Sequence, residues 1–145
     1  MAILRLPVFF GLIAVYFLLM ILGHALVWNL RLRRLFRVRA TLLMSHLARM
    51  NCGIYVAQNG PKVRCRGKLI VANHLSYIDI VVLASTVPAV FVTSVELRET
   101  PFLGWLARFA GCVFVERRNR AGIREEIDQI SELLRSGINV VFFPE

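Results

Sequence analysis

The stretch Asn73-His74-Leu75-Ser76-Tyr77-Ile78-Asp79 sets a histidine and an aspartate five positions apart, where a short apolar run gives way to a segment of helical character. On a regular helix, side chains at that spacing point about 140° apart. They meet only if His74 lies in a turn ahead of the helix. Ser76 allows that turn, because Ser76-x-x-Asp79 before an apolar run has the form of a capping box that starts a helix just after His74. Two readings follow. In one, Asp79 is a helix-start acid and His74 an ordinary turn residue. In the other, the Asp79 carboxylate accepts a hydrogen bond from one imidazole nitrogen and fixes the tautomer. The other nitrogen of His74 is then left to take a proton from a substrate hydroxyl. The helix N-terminus favours a neutral imidazole and an ionised carboxylate, the state of a base ready at neutral pH.

A second set stands at Gly111-Cys112-Val113-Phe114-Val115-Glu116-Arg117-Arg118. The planar guanidinium of Arg117 can grip phosphate oxygens in two places. As a plain surface residue it would pair instead with Glu116 or with a helix acid such as Glu125. Cys52, Cys65 and Cys112 are odd in number and lack metal-ligand spacing, so neither a disulfide framework nor a metal site is expected, and a reduced, cytoplasmic setting fits. His24 and His46 read as an interfacial imidazole and as a surface or core side chain.

Elements suited to holding these residues surround them. Leu69–Ala72, Ala89–Thr93, Cys112–Val115 and Asn139–Phe143 read as buried strands, and Tyr77–Ser85, Pro101–Ala110 and Arg120–Arg135 as helices between them. In the last helix Ile123, Ile127, Ile130, Leu133 and Leu134 form the inner face, Asn119 caps the start and Gly137 the stop. This alternation predicts an α/β fold with right-handed crossovers and a mixed, mostly parallel sheet, in which ligands bind at the carboxyl ends of the strands. Asn59-Gly60, between Ile54–Gln58 and Lys62–Arg66, predicts a short hairpin ahead of it.

Charge is divided unevenly along the 145 residues: residues 1–78 carry 11 basic and no acidic side chains, residues 79–145 carry 7 basic and 9 acidic. With 57% hydrophobic residues, a disordered or low-complexity chain is excluded. The 25 residues between Arg5 and Arg31 carry no charge, which predicts a transmembrane helix over Leu6–Trp28. The run is too long for a cleaved signal peptide, and Gly23-His24-Ala25 is a poor cleavage site. The arginines that follow place everything after residue 30 in the cytoplasm and make anionic lipid, not nucleic acid, the expected counter-surface. Over Asn29–Met50, Leu32, Leu35, Phe36, Leu42, Leu43, Leu47 and Met50 recur at helical spacing among arginines. They describe a basic amphipathic helix that lies in the headgroup layer or packs on the domain with a solvated arginine face. The expected division is an anchor over 1–30, the basic helix over 31–50 and an α/β domain over 51–145. The final run, Asn139–Glu145, leaves a bare apolar strand at the C-terminus, as expected of a fragment of a longer protein.

Asn73-His74-x-x-x-x-Asp79, Phe114-x-x-Arg117 and Phe143-Pro144-Glu145 resemble, in order and spacing, the first three blocks of the glycerophospholipid acyltransferases, in particular the 1-acylglycerol-3-phosphate type. Glu96-Leu97 with Pro101-x-x-Gly104-Trp105 is similar to the segment between the first two blocks, and the resemblance covers about residues 50–145. It implies a membrane enzyme of phospholipid biosynthesis with a cytoplasmic catalytic domain and a single-pass anchor. His74 would deprotonate the free hydroxyl of a lysophospholipid and Asp79 would orient it. Arg117 would hold the acceptor's phosphate, and Asn73 and Glu145 would help to form the same pocket. The donor would be acyl-coenzyme A or acyl carrier protein, with no cofactor or metal. Another acceptor, such as glycerol 3-phosphate or a lyso-aminolipid, is the alternative within the enzyme class, and a non-catalytic membrane-bound module is the alternative outside it. The chain departs from the family pattern in three ways. It stops at Glu145, where the third block continues with Gly-Thr; it holds no fourth, proline-containing block; and it has Ser94 where many relatives carry lysine.

Overall fold

The structure, a computed structural model, describes residues 2–60, 66–73, 76–116 and 122–144, with side chains from residue 5 onward. The chain forms two compact units, one from residues 1–64 and 75–88, the other from residues 65–74 and 89–145.

The first unit is helical: α1 (Ala2–Leu26), α2 (Leu30–Cys52) and α3 (Tyr77–Thr86). At about 1.5 Å per residue, α1 is long enough and apolar enough to cross a membrane, and it continues through Pro7 in its second turn. Three residues separate it from α2, whose first turn is capped by the Asn29 side chain, accepting from Arg31 N at 2.9 Å and Leu32 N at 3.2 Å. The two helices then run antiparallel along their whole length. Asn51 Nδ2 donates to the Arg5 carbonyl at one end (2.9 Å), Tyr16 and Thr41 share a hydroxyl hydrogen bond in the middle (3.1 Å), and Arg37 approaches His24 Nδ1 at the other end (3.3 Å). Gly23 lets the Phe36 ring lie against the α1 backbone, where a Cβ would overlap it. Tyr16, Met20, Val38, Ala40 and Met44 are buried, whereas Leu32, Leu35, Leu43, Leu47 and Met50 form an exposed stripe on α2.

The sequence groups α3 with the α/β half, but it packs on α2. Its residues Ile78, Ile80, Val81, Val82 and Leu83 are apolar on every side, so periodicity gives no direction to its burial.

The second unit holds a sheet in the order β1-β4-β2-β3, from β1 (Leu69–Val71), β2 (Ala89–Ser94), β3 (Val113–Val115) and β4 (Asn139–Phe142). All three pairings are parallel, with Ile70 opposite Val141, Phe91 opposite Val141 and Thr93 opposite Phe114. The β-branched run of β4 sits between two neighbours, and Val140 and Val141 are 0% exposed. Buried Asn139 at its start is satisfied by accepting from Lys68 N at 3.1 Å, which fixes the β1 register. β1, expected to be buried, is half open: Leu69 is 51% and Val71 60% exposed, because β4 flanks it on one side only among the described residues.

Helices α4 (Val95–Glu99) and α5 (Leu103–Ala110) connect β2 to β3, and α6 (Ile123–Arg135) connects β3 to β4. Helix α6 ends at left-handed Gly137 (φ 82°), with Ile138 N bonding Leu133 O and Gly137 N bonding Leu134 O, both at 3.0 Å, so Gly137 stops the helix as expected. Its start differs from the expectation. Gly122 stands at the cap position with no side-chain bond, and Asn119 lies outside the described residues. Helix α4 is a short element that the sequence did not reveal. The hairpin is not formed as read: residues 54–60 hold no strand, and most of its second arm lies outside the described residues.

Candidate active site

The capping box at the start of α3 is present. Ser76 Oγ accepts from Ile78 N at 3.2 Å, and Asp79 Oδ2 accepts from Ser76 N at 2.9 Å. The Asp79 carboxylate is thus held in the first turn, at the positive end of the helix, where its negative charge is favoured. A carboxylate has two oxygens and about four lone-pair sites, so the cap engages only part of its accepting capacity. The helix-start role and an imidazole-orienting role are therefore compatible in one side chain.

In the sheet unit, parallel pairing brings the carboxyl ends of all the strands to one edge. Asn73 follows β1, Glu116 follows β3 and Phe143-Pro144 follow β4. Ala72 N donates to Phe142 O at 3.2 Å, which carries the β1–β4 pairing to the residue before Asn73. Phe143 is buried and stacked on Phe91, with centroids 6.2 Å apart, and so anchors the chain just ahead of Pro144. The exit from β3 is fixed by Glu126 Oε1, which accepts from Glu116 N at 2.7 Å. β1 and β3 are three strand spacings apart, about 14 Å.

Of the residues singled out by sequence, Asp79 belongs to the helical unit and Asn73 to the sheet unit. His74, Arg117 and Glu145 lie outside the described residues. Among the described residues, no three His, Cys, Asp or Glu side chains gather as a metal site would require. Ser94, which stands where many relatives have lysine, caps α4: its Oγ accepts from Leu97 N at 3.4 Å. Arg98 at the end of α4 lies over the ring of Phe114 on β3, 5.8 Å from its centroid, and its carbonyl accepts from Arg108 Nη2 at 3.1 Å. Phe102 adopts φ 65° and ψ −57° in a γ-turn closed by Leu103 N to Pro101 O at 2.8 Å, which turns the chain sharply from α4 into α5.

Cys112 is only half-buried as a residue, yet its sulfur is desolvated, and burial pushes its thiol up to about 12. It is an inert core group rather than a nucleophile.

Comparison with known proteins completes the picture. The acyltransferase family model matches residues 54–145. The chain is 35% identical over 99 residues to a 1-acyl-sn-glycerol-3-phosphate acyltransferase of Neisseria gonorrhoeae, an alignment covering 68% of this chain and 38% of that protein. It is 38% identical over 106 residues to a lyso-ornithine lipid O-acyltransferase of Rhizobium meliloti, covering 71% of this chain and 36% of that one. The crystal structure of the 1-acyl-sn-glycerophosphate acyltransferase PlsC from Thermotoga maritima matches with a TM-score of 0.67 and 26% identity, over 99% of this chain and 60% of that one. The chain thus spans 38% and 36% of the length of these two curated relatives. With three motif blocks in order, strand ends gathered at one sheet edge and a family match over residues 54–145, this chain belongs to the acyltransferase family.

Proposed function

We propose that the protein transfers a fatty acyl group from an acyl thioester, acyl-coenzyme A or acyl carrier protein, to the free hydroxyl of 1-acylglycerol 3-phosphate. The observation that supports this reading is the parallel sheet, at whose carboxyl edge Asn73 follows β1, Glu116 follows β3 and Phe143-Pro144 follow β4. His74, oriented by Asp79, takes the hydroxyl proton as the oxygen attacks the thioester carbonyl. The tetrahedral oxyanion then collapses, expels the thiolate, and the imidazolium returns the proton to sulfur. Arg117 holds the acceptor's phosphate, with Asn73 and Glu145 shaping the same pocket. Base catalysis and proximity suffice, with no acyl-enzyme and no resident cofactor. The experiment is transfer of a labelled acyl group to 1-acylglycerol 3-phosphate, glycerol 3-phosphate and lyso-ornithine lipid. Formation of phosphatidic acid as the fastest product is expected. No transfer to any of the three would contradict the reading, and lyso-ornithine lipid as the preferred acceptor would replace it with the alternative named by the second relative.

The membrane anchor has a related reading. A single-pass α1 crossing the bilayer while paired with α2 would carry Arg37 and Arg39 into the hydrocarbon. Each costs about 2.5–3.5 kcal/mol at the bilayer centre. The antiparallel packing instead favours a hairpin embedded in one leaflet, with its exposed leucines toward lipid and the soluble parts on the cytoplasmic side. In sealed vesicles of fixed orientation, a membrane-impermeant maleimide should label Cys52 and a cysteine placed by Leu6→Cys from the same side. Labelling from opposite sides would restore the single-pass arrangement.

A further inference from the structure

Helix α5 has its sides reversed for a helix in water. Its buried residues are Gly104 and Ala107, whereas Trp105 is 63% exposed and Phe102, just before its first residue, is 49% exposed. The inward side has no room for anything larger at its start: a Cβ at Gly104 would overlap the Arg98 carbonyl. Close packing on the end of α4 thus explains why small residues face in. It does not explain why two large aromatic side chains face out, where any polar residue would serve. The surrounding segment is no more polar. Residues 100–115 hold one charged side chain, Arg108, and no acid. Arg108 is exposed one turn beyond Trp105, and its Nη2 bond to the Arg98 carbonyl ties it down there.

Phe102 carries a second cost. Its φ of 65° and ψ of −57° form a γ-turn that a residue with a Cβ rarely adopts. Glycine would take this backbone without strain. A ring kept on such a backbone and left half in solvent points to a use outside the fold. Other rings of the same unit are put away: Phe91 and Phe143 are buried and stacked. A buried aromatic side chain contributes about 150–250 Å², so the exposed parts of Phe102 and Trp105 come to about 200–300 Å². A stable protein partner needs about 800 Å² on each side. The patch is therefore too small for a second copy of the chain. It is not too small for a bilayer, because α1 is apolar enough to enter lipid and makes any further lipid contact by the same chain effectively intramolecular. Tryptophan and phenylalanine beside an arginine match the membrane interface, where rings sit at headgroup level and a guanidinium meets phosphate. We propose that Phe102, Trp105 and Arg108 form a lipid-docking patch on the sheet unit, which inserts into the headgroup layer of a phospholipid bilayer. This goes beyond the acyl-transfer reading and does not depend on it.

Trp28 is the other tryptophan of the chain, so Trp28→Phe leaves Trp105 as the sole emitter. The full chain is reconstituted in vesicles of equal parts phosphatidylcholine and phosphatidylglycerol, with bromine placed either just below the headgroups or at the ends of the acyl chains. Shallow bromine should quench Trp105 emission about 2-fold or more and exceed deep bromine, while aqueous iodide has little effect. Phe102→Gly in this background should lose about half of the shallow quenching at an unchanged thermal midpoint, because glycine suits the backbone. Unchanged quenching in that variant, or a midpoint that falls with it, would overturn the proposal, the latter marking the ring as a structural support. Trp105 open to iodide and out of reach of bromine, on a chain that still floats with vesicles, would overturn it and leave the hairpin and acyl-transfer readings standing. Protection from iodide without bromine quenching would overturn it in favour of a protein partner. A chain that does not float with vesicles would overturn this proposal and the membrane hairpin together.

Discussion

The helical hairpin and the parallel sheet dispose of their apolar residues in opposite ways. The sheet hides them: Val140 and Val141 have no exposed surface, and Phe91, Val92 and Phe143 are buried beside them. The hairpin displays them, with Leu18 on α1 and Leu43 on α2 more than half exposed. Water drives burial of the first set at about 25 cal/mol per Å² of apolar surface. The second set runs the length of two helices and suits hydrocarbon as its solvent. The first unit thus presents an apolar surface suited to lipid, and the second encloses a core of the kind that water drives together.

Substitutions in the two units should therefore differ in what they cost. The largest effect is expected from Val140→Asp, which puts an unpaired charge in the middle of the sheet. It should cost more than about 4 kcal/mol, enough to abolish the cooperative thermal transition followed by circular dichroism. Leu43→Asp on the exposed stripe should leave folding in detergent nearly unchanged and weaken vesicle binding in flotation. Equal loss of folding from both would erase the distinction. Glycines offer a smaller contrast. An alanine at Gly104 meets the Arg98 carbonyl, whereas one at Gly11 meets nothing within 4 Å. Denaturant titration should show Gly104→Ala destabilised by about 1–3 kcal/mol from overpacking, and Gly11→Ala stabilised by about 0.5–1 kcal/mol.

The cysteines give the smallest contrast. Exposed Cys52 should react with maleimide at pH 7.5 while Cys112 resists until the protein unfolds. Because folding raises the Cys112 pKa from 9.0 to about 12, its contribution to stability is intact below about pH 9 and is lost as pH rises from 9 toward 12. Thermal midpoints across that range should fall more steeply for the parent than for Cys112→Ala.

Much of this was legible in the sequence, for reasons that also mark where legibility ends. β2, β3 and β4 announce themselves because short apolar runs bounded by helical segments have few other uses, and the Ser76–Asp79 cap because its chemistry is local. Helix α4 did not, since five residues cannot establish a period, and its placement depends on the Ser94 cap and the γ-turn at Phe102. The α2 leucines recur at the spacing of one helix face, but a period cannot tell whether that face meets protein or lipid. The inward side is made by Val38, Ala40 and Met44. The contact of Arg98 with Phe114 was invisible because the ring lies on a strand sixteen positions later in the chain.

The account turns on whether Asp79 orients a base or only starts a helix, and Asp79→Asn separates the two. An asparagine side-chain oxygen still accepts from Ser76 N, so the start of α3 and the thermal midpoint should be preserved, while the charge that steers His74 is lost. Single-turnover acyl transfer to 1-acylglycerol 3-phosphate should then fall by about 10²- to 10⁴-fold, with His74→Ala at least as low. Parental rates in either variant, with the fold intact, would contradict the account.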